Sequence, residues 1–306
     1  PWLLTGAVVV ATFSFVLRAL RWRVLLSPSH PDSRFVPRFG ATCIGFAVNN
    51  LLPARLGEFA RAYALSRTEG LNIGASVASL VAERIFDGLV LAFLLFVTIS
   101  LPGFPLGEGS TALVVRRTAN IGAIAFVLAF VLLWLAARNS DRAVELFERT
   151  FGRFLNPALS QRATRLVTGF LAGLGALNDT ATFAKALGWS VVVWLNLSVS
   201  IWLGLLAFDI SAPGLTGSIF LQSVIAFAVA APSSPGFFGV FEAATRLGLG
   251  VYDVGVTDMV SFATSYHILT FLPVTLMGLW FIRHFGLSWS EMGQSEEVVE
   301  AAVTDD

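Results

Sequence analysis

Six charged side chains in two short runs are the residues of this sequence best placed to do chemistry. Arg55, Glu58 and Arg61 stand at i, i+3 and i+6 in NNLLPARLGEFARAYAL, so on a helix they share one face and can pair in succession. Glu83, Arg84 and Asp87 stand in VAERIFDGLVL, where the two acids fall one turn apart on one face and Arg84 reaches Asp87 at i+3. If the two helices pack, the six form one network. A guanidinium is a planar fork that binds phosphate oxygens in pairs and stays charged at any working pH. Arg55, Arg61 and Arg84 are therefore expected to hold a phosphate, with Glu58, Glu83 and Asp87 ordering them or meeting a cationic headgroup. The plainer reading of Glu83 and Asp87 is a charged first turn favoured by the helix dipole. The number of charges argues against it, because such a network is costly to bury unless nearly complete.

A second group lies far along the chain. Ser234-Pro235 reads as a helix start, with a capping hydroxyl and a proline at the first helical position. The amides of Gly236, Phe237 and Phe238 would then face an anion, and a lipid phosphate is the anion at hand in a membrane. The alternative is that Ser233 and Ser234 only cap a helix and Gly236 and Gly239 permit close packing. Glu242 and Arg246 are i, i+4 partners, and His267 is a lone titratable group midway along an apolar run, either a hydrogen-bonded structural residue or a switch. Three histidines and one cysteine without close ligand spacing argue against a metal, and no cofactor is expected. No glycine-rich phosphate loop follows a strand, and no Ser-His-Asp order stands out. Cys43 reads as a small buried hydrophobe.

The elements that position these residues belong in a bilayer. With 56% hydrophobic and 13% charged residues and a mean hydropathy of +0.76, the composition is that of a polytopic membrane protein. The formal net charge of zero argues against a nucleic-acid partner. Uncharged runs long enough to cross occur at Gly88 to Gly107, Thr118 to Ala137, Ala186 to Phe208 and Met259 to Ile282, with Trp2 to Leu17 a marginal fifth. Phe39 to Ala54 is also uncharged, but Asn49-Asn50 and Pro53 interrupt it, so the stretch 39 to 67 reads as a re-entrant hairpin. Ile210 to Phe241 carries Pro213, Pro232 and Pro235 and reads as a second one, spanning 212 to 250. The arginines from Arg18 to Arg38 and from Arg138 to Arg165 mark cytoplasmic segments, which puts the first hairpin on the cytoplasmic side and the second on the outer side. Asp141 to Arg165 is expected to be a surface helix broken at Pro157. The expected fold is all-α, a polytopic helix bundle with two re-entrant hairpins and an inverted repeat, about 1–107 and 186–285. A membrane domain over 1–285 precedes an acidic, disordered cytoplasmic tail at 286–306. The opening Pro1-Trp2 offers no readable signal peptide.

RALRWRVLL from Arg18, the Asn49 run, VAERIFDGL from Val81 and APSSPGFFGVFEAA from Ala231 together resemble the flippase-like membrane domain of the lysylphosphatidylglycerol synthase family. The resemblance covers nearly the whole chain, and the hairpin run is its specific part. It implies a multi-pass protein of the cell membrane, a bacterial inner or plasma membrane, that moves a modified phospholipid between leaflets. In the best-known members a cytoplasmic aminoacyltransferase domain follows; too few residues follow Arg283 to form one, so the closer likeness is to stand-alone members. The expected function is a lipid translocase without a covalent catalytic step, its partners a membrane phospholipid, a separate lipid-modifying enzyme and further copies of the chain. One rival is a membrane-embedded transferase that uses a lipid-linked donor, with Glu83 or Asp87 as base. Another is a non-transporting subunit that recruits a synthase through Asp141 to Arg165.

Overall fold

A computed structural model describes residues 2–53, 56–105, 138–150, 179–230 and 234–299, with a few positions between 124 and 136 and at 164. All regular structure among the described residues is helical. In chain order the helices are α1 (Trp2–Leu26), α2 (Phe35–Leu51), α3 (Gly57–Glu69), α4 (Ile73–Ser100), α5 (Ser140–Thr150), α6 (Thr180–Ala207), α7 (Gly214–Ala230), α8 (Val240–Leu249), α9 (Val256–His284) and α10 (Trp289–Gly293). Helices α1, α6 and α9 are long and apolar enough to cross a membrane. Helix α4 matches them at 28 residues but carries Glu83, Arg84 and Asp87.

Several expected boundaries move, each for a local reason. The first helix runs past Leu17 to Leu26, because nothing breaks it before Ser27-Pro28 and arginine is a good helix former. Arg18 and Arg21 therefore lie in a span and not in a flanking loop. The Gly88 to Gly107 span begins much earlier, at Ile73, where the Asn72 side chain accepts the Ala75 amide at 3.0 Å. Glu83 and Asp87 are thus mid-helix. Asn49 and Asn50 do not break α2, which runs to Leu51; the break follows at Leu52-Pro53. The Ala186 and Met259 spans fall inside α6 and α9, whereas most of Thr118 to Ala137 and the Pro157 break lie outside the described residues. The tail is not wholly disordered: Ser288 and Glu291 form a capping box for α10, Met292 is buried in the core, and the Tyr63 hydroxyl donates to Glu291 at 3.2 Å.

Helices α2 and α3 fold back on each other so tightly that a side chain at Gly57 would collide with the Gly45 carbonyl and the Asn49 side chain. The Asn49 Oδ1 accepts the Gly57 amide at 2.8 Å, fastening the start of α3 to α2. At the open end of this pair, Glu69 accepts from the Ser33 hydroxyl at 2.6 Å and the Arg34 amide at 2.7 Å. Helices α7 and α8 make the corresponding pair, whose open end meets the far end of α4 through Phe104, 4.9 Å from the Phe220 ring and 6.0 Å from Tyr252. Helix α1 lies along α6, α2 packs on α9, and α7 packs on α4. Polar residues turn inward and apolar ones outward: Arg18, Arg21, Arg61, Glu83 and Asp87 are buried, while Leu272, Leu276, Leu279 and Trp280 stand exposed along α9. That inversion suits a bundle solvated by lipid tails.

Candidate functional site

Glu83, midway along α4 and with no exposed surface, is the hub of a charge cluster drawn from three helices, with neutral partners from a fourth. Its Oε1 receives Arg84 Nη2 at 2.7 Å, Arg61 Nη1 at 2.8 Å and Arg21 Nη2 at 3.0 Å. Its Oε2 receives Arg61 Nη2 at 3.1 Å, so the Arg61 fork closes on both oxygens. One turn on, Asp87 accepts from Arg21 and from Trp194 Nε1 of α6 at 2.8 Å, and forms an ion pair with Arg84 Nη2 at 3.3 Å. Arg21 also donates to Ser190 of α6 at 2.9 Å. The frame behind the charges is aromatic. The Arg61 guanidinium lies 3.9 Å from the centroid of the Trp22 ring, whose Nε1 donates to Ser79 at 2.8 Å.

Among the described residues four guanidiniums thus meet three carboxylates, and the surplus is positive. Two of the groups reach the edge of the cluster: the Arg84 side chain is 39% exposed and that of Glu58, 3.8 Å away, is 32% exposed. At the inner end Arg18 is packed between Phe46 and Trp194, its Nη1 3.9 Å from Asp87, and neither Nε nor Nη1 makes a hydrogen bond.

The structure brings together Glu58, Arg61, Glu83, Arg84 and Asp87, as their spacing suggested. Arg55 lies outside the described residues. The ion pairs close directly on one another. Arg61, expected to hold a phosphate, has its fork committed to Glu83. Arg18 and Arg21 were missed, having been read as flanking charges. Their signal was the i, i+3 spacing in RALRWR, which puts Arg18, Arg21 and Trp22 on the inner side and leaves Arg23 exposed.

The second group is arranged differently from the expectation. Helix α8 begins at Val240, and only a three-residue 3-10 turn, Pro235–Phe237, precedes it. The Ser234 hydroxyl does not cap that turn; it donates to the Phe238 carbonyl at 2.6 Å. Gly236 and Phe237 take positive φ, of 64° and 62°, so the amides do not converge as at a helix start. At the true start of α8 the Gly239 amide is taken by Glu242 at 2.6 Å, a carboxylate of the chain itself. Glu242 does not pair with Arg246, which is exposed; its other oxygen lies 2.8 Å from His267 Nδ1. The His267 ring stacks on Phe241 at 4.3 Å. Here the two helical pairs touch, for a side chain at Gly236 would lie 3.2 Å from the Asn50 carbonyl, and Asn50 Nδ2 donates to Thr275 at 2.8 Å. Among the described residues no ion pair joins Glu242 and His267 to the Glu83 cluster.

Removing the hub carboxylate would leave Arg21, Arg61 and Arg84 repelling one another out of water, a loss of about 3–5 kcal/mol. Glu83→Ala should therefore lower the thermal unfolding temperature in micelles sharply. Arg84→Ala, at a screened edge, should cost less than about 1 kcal/mol. Similar small shifts for both would show that the cluster does not hold the bundle together.

Comparison with known proteins agrees with the membrane reading. The family described as lysylphosphatidylglycerol synthase TM region matches residues 1–278. Among curated relatives, Glycosyltransferase AglD of Haloferax volcanii is 28% identical over 268 residues, which are 80% of this chain and 42% of the relative. The chain therefore spans less than half the length of that protein. A UPF0104 membrane protein of Methanothermobacter thermautotrophicus is 24% identical over 300 residues, covering 93% of this chain and 86% of the relative. No solved structure matches significantly. The expectation of a function without any catalytic step is corrected by the first relative, which bears the name of a transferase. With its buried ion cluster and its helices long and apolar enough to span a bilayer, the chain is a membrane protein and belongs to the lysylphosphatidylglycerol synthase transmembrane-region family.

Proposed function

We propose that this chain binds the phosphate of a membrane lipid at the Arg84 edge of the charge cluster and passes the polar head between leaflets, in the service of a transfer reaction on that lipid. The observation that carries the reading is the positive surplus of a cluster whose partly exposed members are Arg84 and Glu58. A phosphate would supply the missing negative charge, and Glu58 would meet a cationic group on the same head. Arg18, Arg21 and Arg61 hold Glu83 and Asp87 in place behind it.

The transport part of the reading rests on a re-entrant, inverted arrangement. The helix lengths support it: 25, 17, 13 and 28 residues for α1 to α4 against 28, 17, 10 and 29 for α6 to α9. A helix of 17 residues is about 25 Å long, short of a hydrocarbon core of about 30 Å. Each short pair packs on the closing helix of the other half, and the breaks meet at Gly236 and Asn50. On this reading the repeats are about 1–107 and 186–285, with the first hairpin opening to the cytoplasm. Cysteines placed at Phe35 and at Thr68 should label from the same, cytoplasmic face. Labelling from opposite faces would make the first pair a full crossing and end the inverted-repeat account.

A second reading, in which the domain itself carries out transfer from a lipid-linked donor, is favoured by the glycosyltransferase among the relatives. In that case the oxygens of Glu83 and Asp87 are already engaged by guanidinium donors, and Glu58 is the carboxylate at hand as base.

Reconstitution with a fluorescent anionic lipid tests the main reading. Arg84→Ala should slow translocation by about tenfold or more, since it removes charge-assisted contacts of about 1.5–3 kcal/mol. Arg84→Lys should restore it in part, keeping the charge and losing the fork. Wild-type rates in Arg84→Ala vesicles would remove this residue from the lipid's path, and a new lipid species formed without movement between leaflets would favour the second reading.

A further inference from the structure

A groove of about 560 Å³ opens between the start of α2 and the end of α3, at the opposite end of α3 from the charge cluster. Its volume lies in the range of small-molecule sites, about 300–1,000 Å³. Arg34 and Arg67 stand over it, and Phe35, Val36, Pro37 and Phe285 form much of its wall. We propose that this groove binds the phosphate of an anionic phospholipid from the leaflet at this end of the bundle.

Three observations converge on that occupant. First, the Arg34 side chain is 71% exposed and only its Nε is engaged, 3.3 Å from Glu69, so both Nη nitrogens are free for a phosphate. Among the described residues two carboxylates, Glu69 shared with the Ser33 hydroxyl and the Arg34 amide and Glu291 near Arg67, face three guanidiniums, since Arg38 lies buried here with Nη1 on the Ser33 carbonyl at 3.0 Å. Second, α2 starts here without a side-chain cap, and the residues of its first turn, Phe35 and Val36, line the groove. Third, the wall is apolar where a soluble anion would have no use for it. Phe35 and Val36 are exposed, and Trp280 and Trp289, both exposed near the end of α9, place this rim at headgroup depth. A phospholipid satisfies both halves, its phosphate on the arginines and its chains along Phe35 and Val36.

The groove is distinct from the Glu83 cluster. Arg67 lies six residues from Arg61 on α3, about 9 Å along the helix, so a lipid held here waits one to two turns from the cluster. Binding at the groove does not depend on whether the lipid is later moved.

Native mass spectrometry of the protein released from vesicles of equal phosphatidylglycerol and phosphatidylcholine tests the site. The wild-type protein should carry phosphatidylglycerol in preference to phosphatidylcholine. The double variant Arg34→Ala/Arg67→Ala should retain at least about fivefold less, as expected for losing charge-assisted hydrogen bonds. Val36→Trp, which fills the groove and leaves the arginines, should lose the lipid as well, and it decides the matter if the double variant fails to fold. Excess inorganic phosphate should not displace the bound lipid. Lys185→Ala, exposed on α6 and outside both sites, should retain phosphatidylglycerol like wild type, and because retention is read separately from movement between leaflets, failure of the transport reading and failure of this site give different results. Equal retention of the two lipids, wild-type retention in Val36→Trp, or displacement by phosphate alone would overturn the proposal.

Discussion

A carboxylate taken wholly out of water must be met by donors on every side, and Glu83 imposes that condition on this bundle. Three arginines from α1, α3 and α4 converge on it, and the Arg61 fork closes on both of its oxygens. Asp87 repeats the demand one turn on and draws in α6 through Trp194, while Arg21 reaches Ser190 of the same helix. In lipid there is no hydrophobic drive to press apolar helices together, so polar contacts of this kind and close backbone approach carry much of the specificity. The cluster fixes how α1, α3, α4 and α6 sit. The tight approach at Gly45 and Gly57 then fixes how α2 returns on α3.

The same condition explains why the cluster can do more than hold helices. A complete network would be inert. This one has more guanidinium than carboxylate, an Arg18 at its inner end held only by a 3.9 Å ion pair and two aromatic rings, and a partly exposed Arg84 at its outer edge. Stability comes from the pairs around Glu83, and capacity for an anion comes from the surplus. The second group has no such surplus: Glu242 is divided between the Gly239 amide and His267, whose ring lies against Phe238 and Phe241. It is better suited to seal the place where the two helical pairs touch than to receive a phosphate.

Much of this was legible in the sequence, and the gaps have physical causes. The pairing of Arg61 with Glu83 and of Arg84 with Asp87 follows from helical spacing once α3 and α4 pack. The family was legible because RALRWRVLL, the Asn49 run and VAERIFDGL are motifs specific enough to carry a resemblance. Arg18 and Arg21 escaped because a basic run after an apolar one looks the same whether it lies in water or inside a bundle; the i, i+3 spacing of the two, with Trp22 on the same side, was the hint of burial. Asn49 and Asn50 were taken for breakers, although asparagine inside a membrane helix can bond across to a neighbour, as both do here. At Ser234-Pro235 the local signal for a helix start was sound, but the positive φ of Gly236 and Phe237 turns the chain before a helix can form.

The central claim is that a buried, over-cationic cluster built on Glu83 presents Arg84 to a lipid phosphate. Cryo-electron microscopy of the protein in nanodiscs rich in an anionic lipid addresses it most directly. The account requires headgroup density within hydrogen-bonding reach of the Arg84 guanidinium, with Glu83 still bridged by Arg21 and Arg61. A Glu83 carboxylate turned toward water, or ordered headgroups only at sites remote from Arg84, would contradict it.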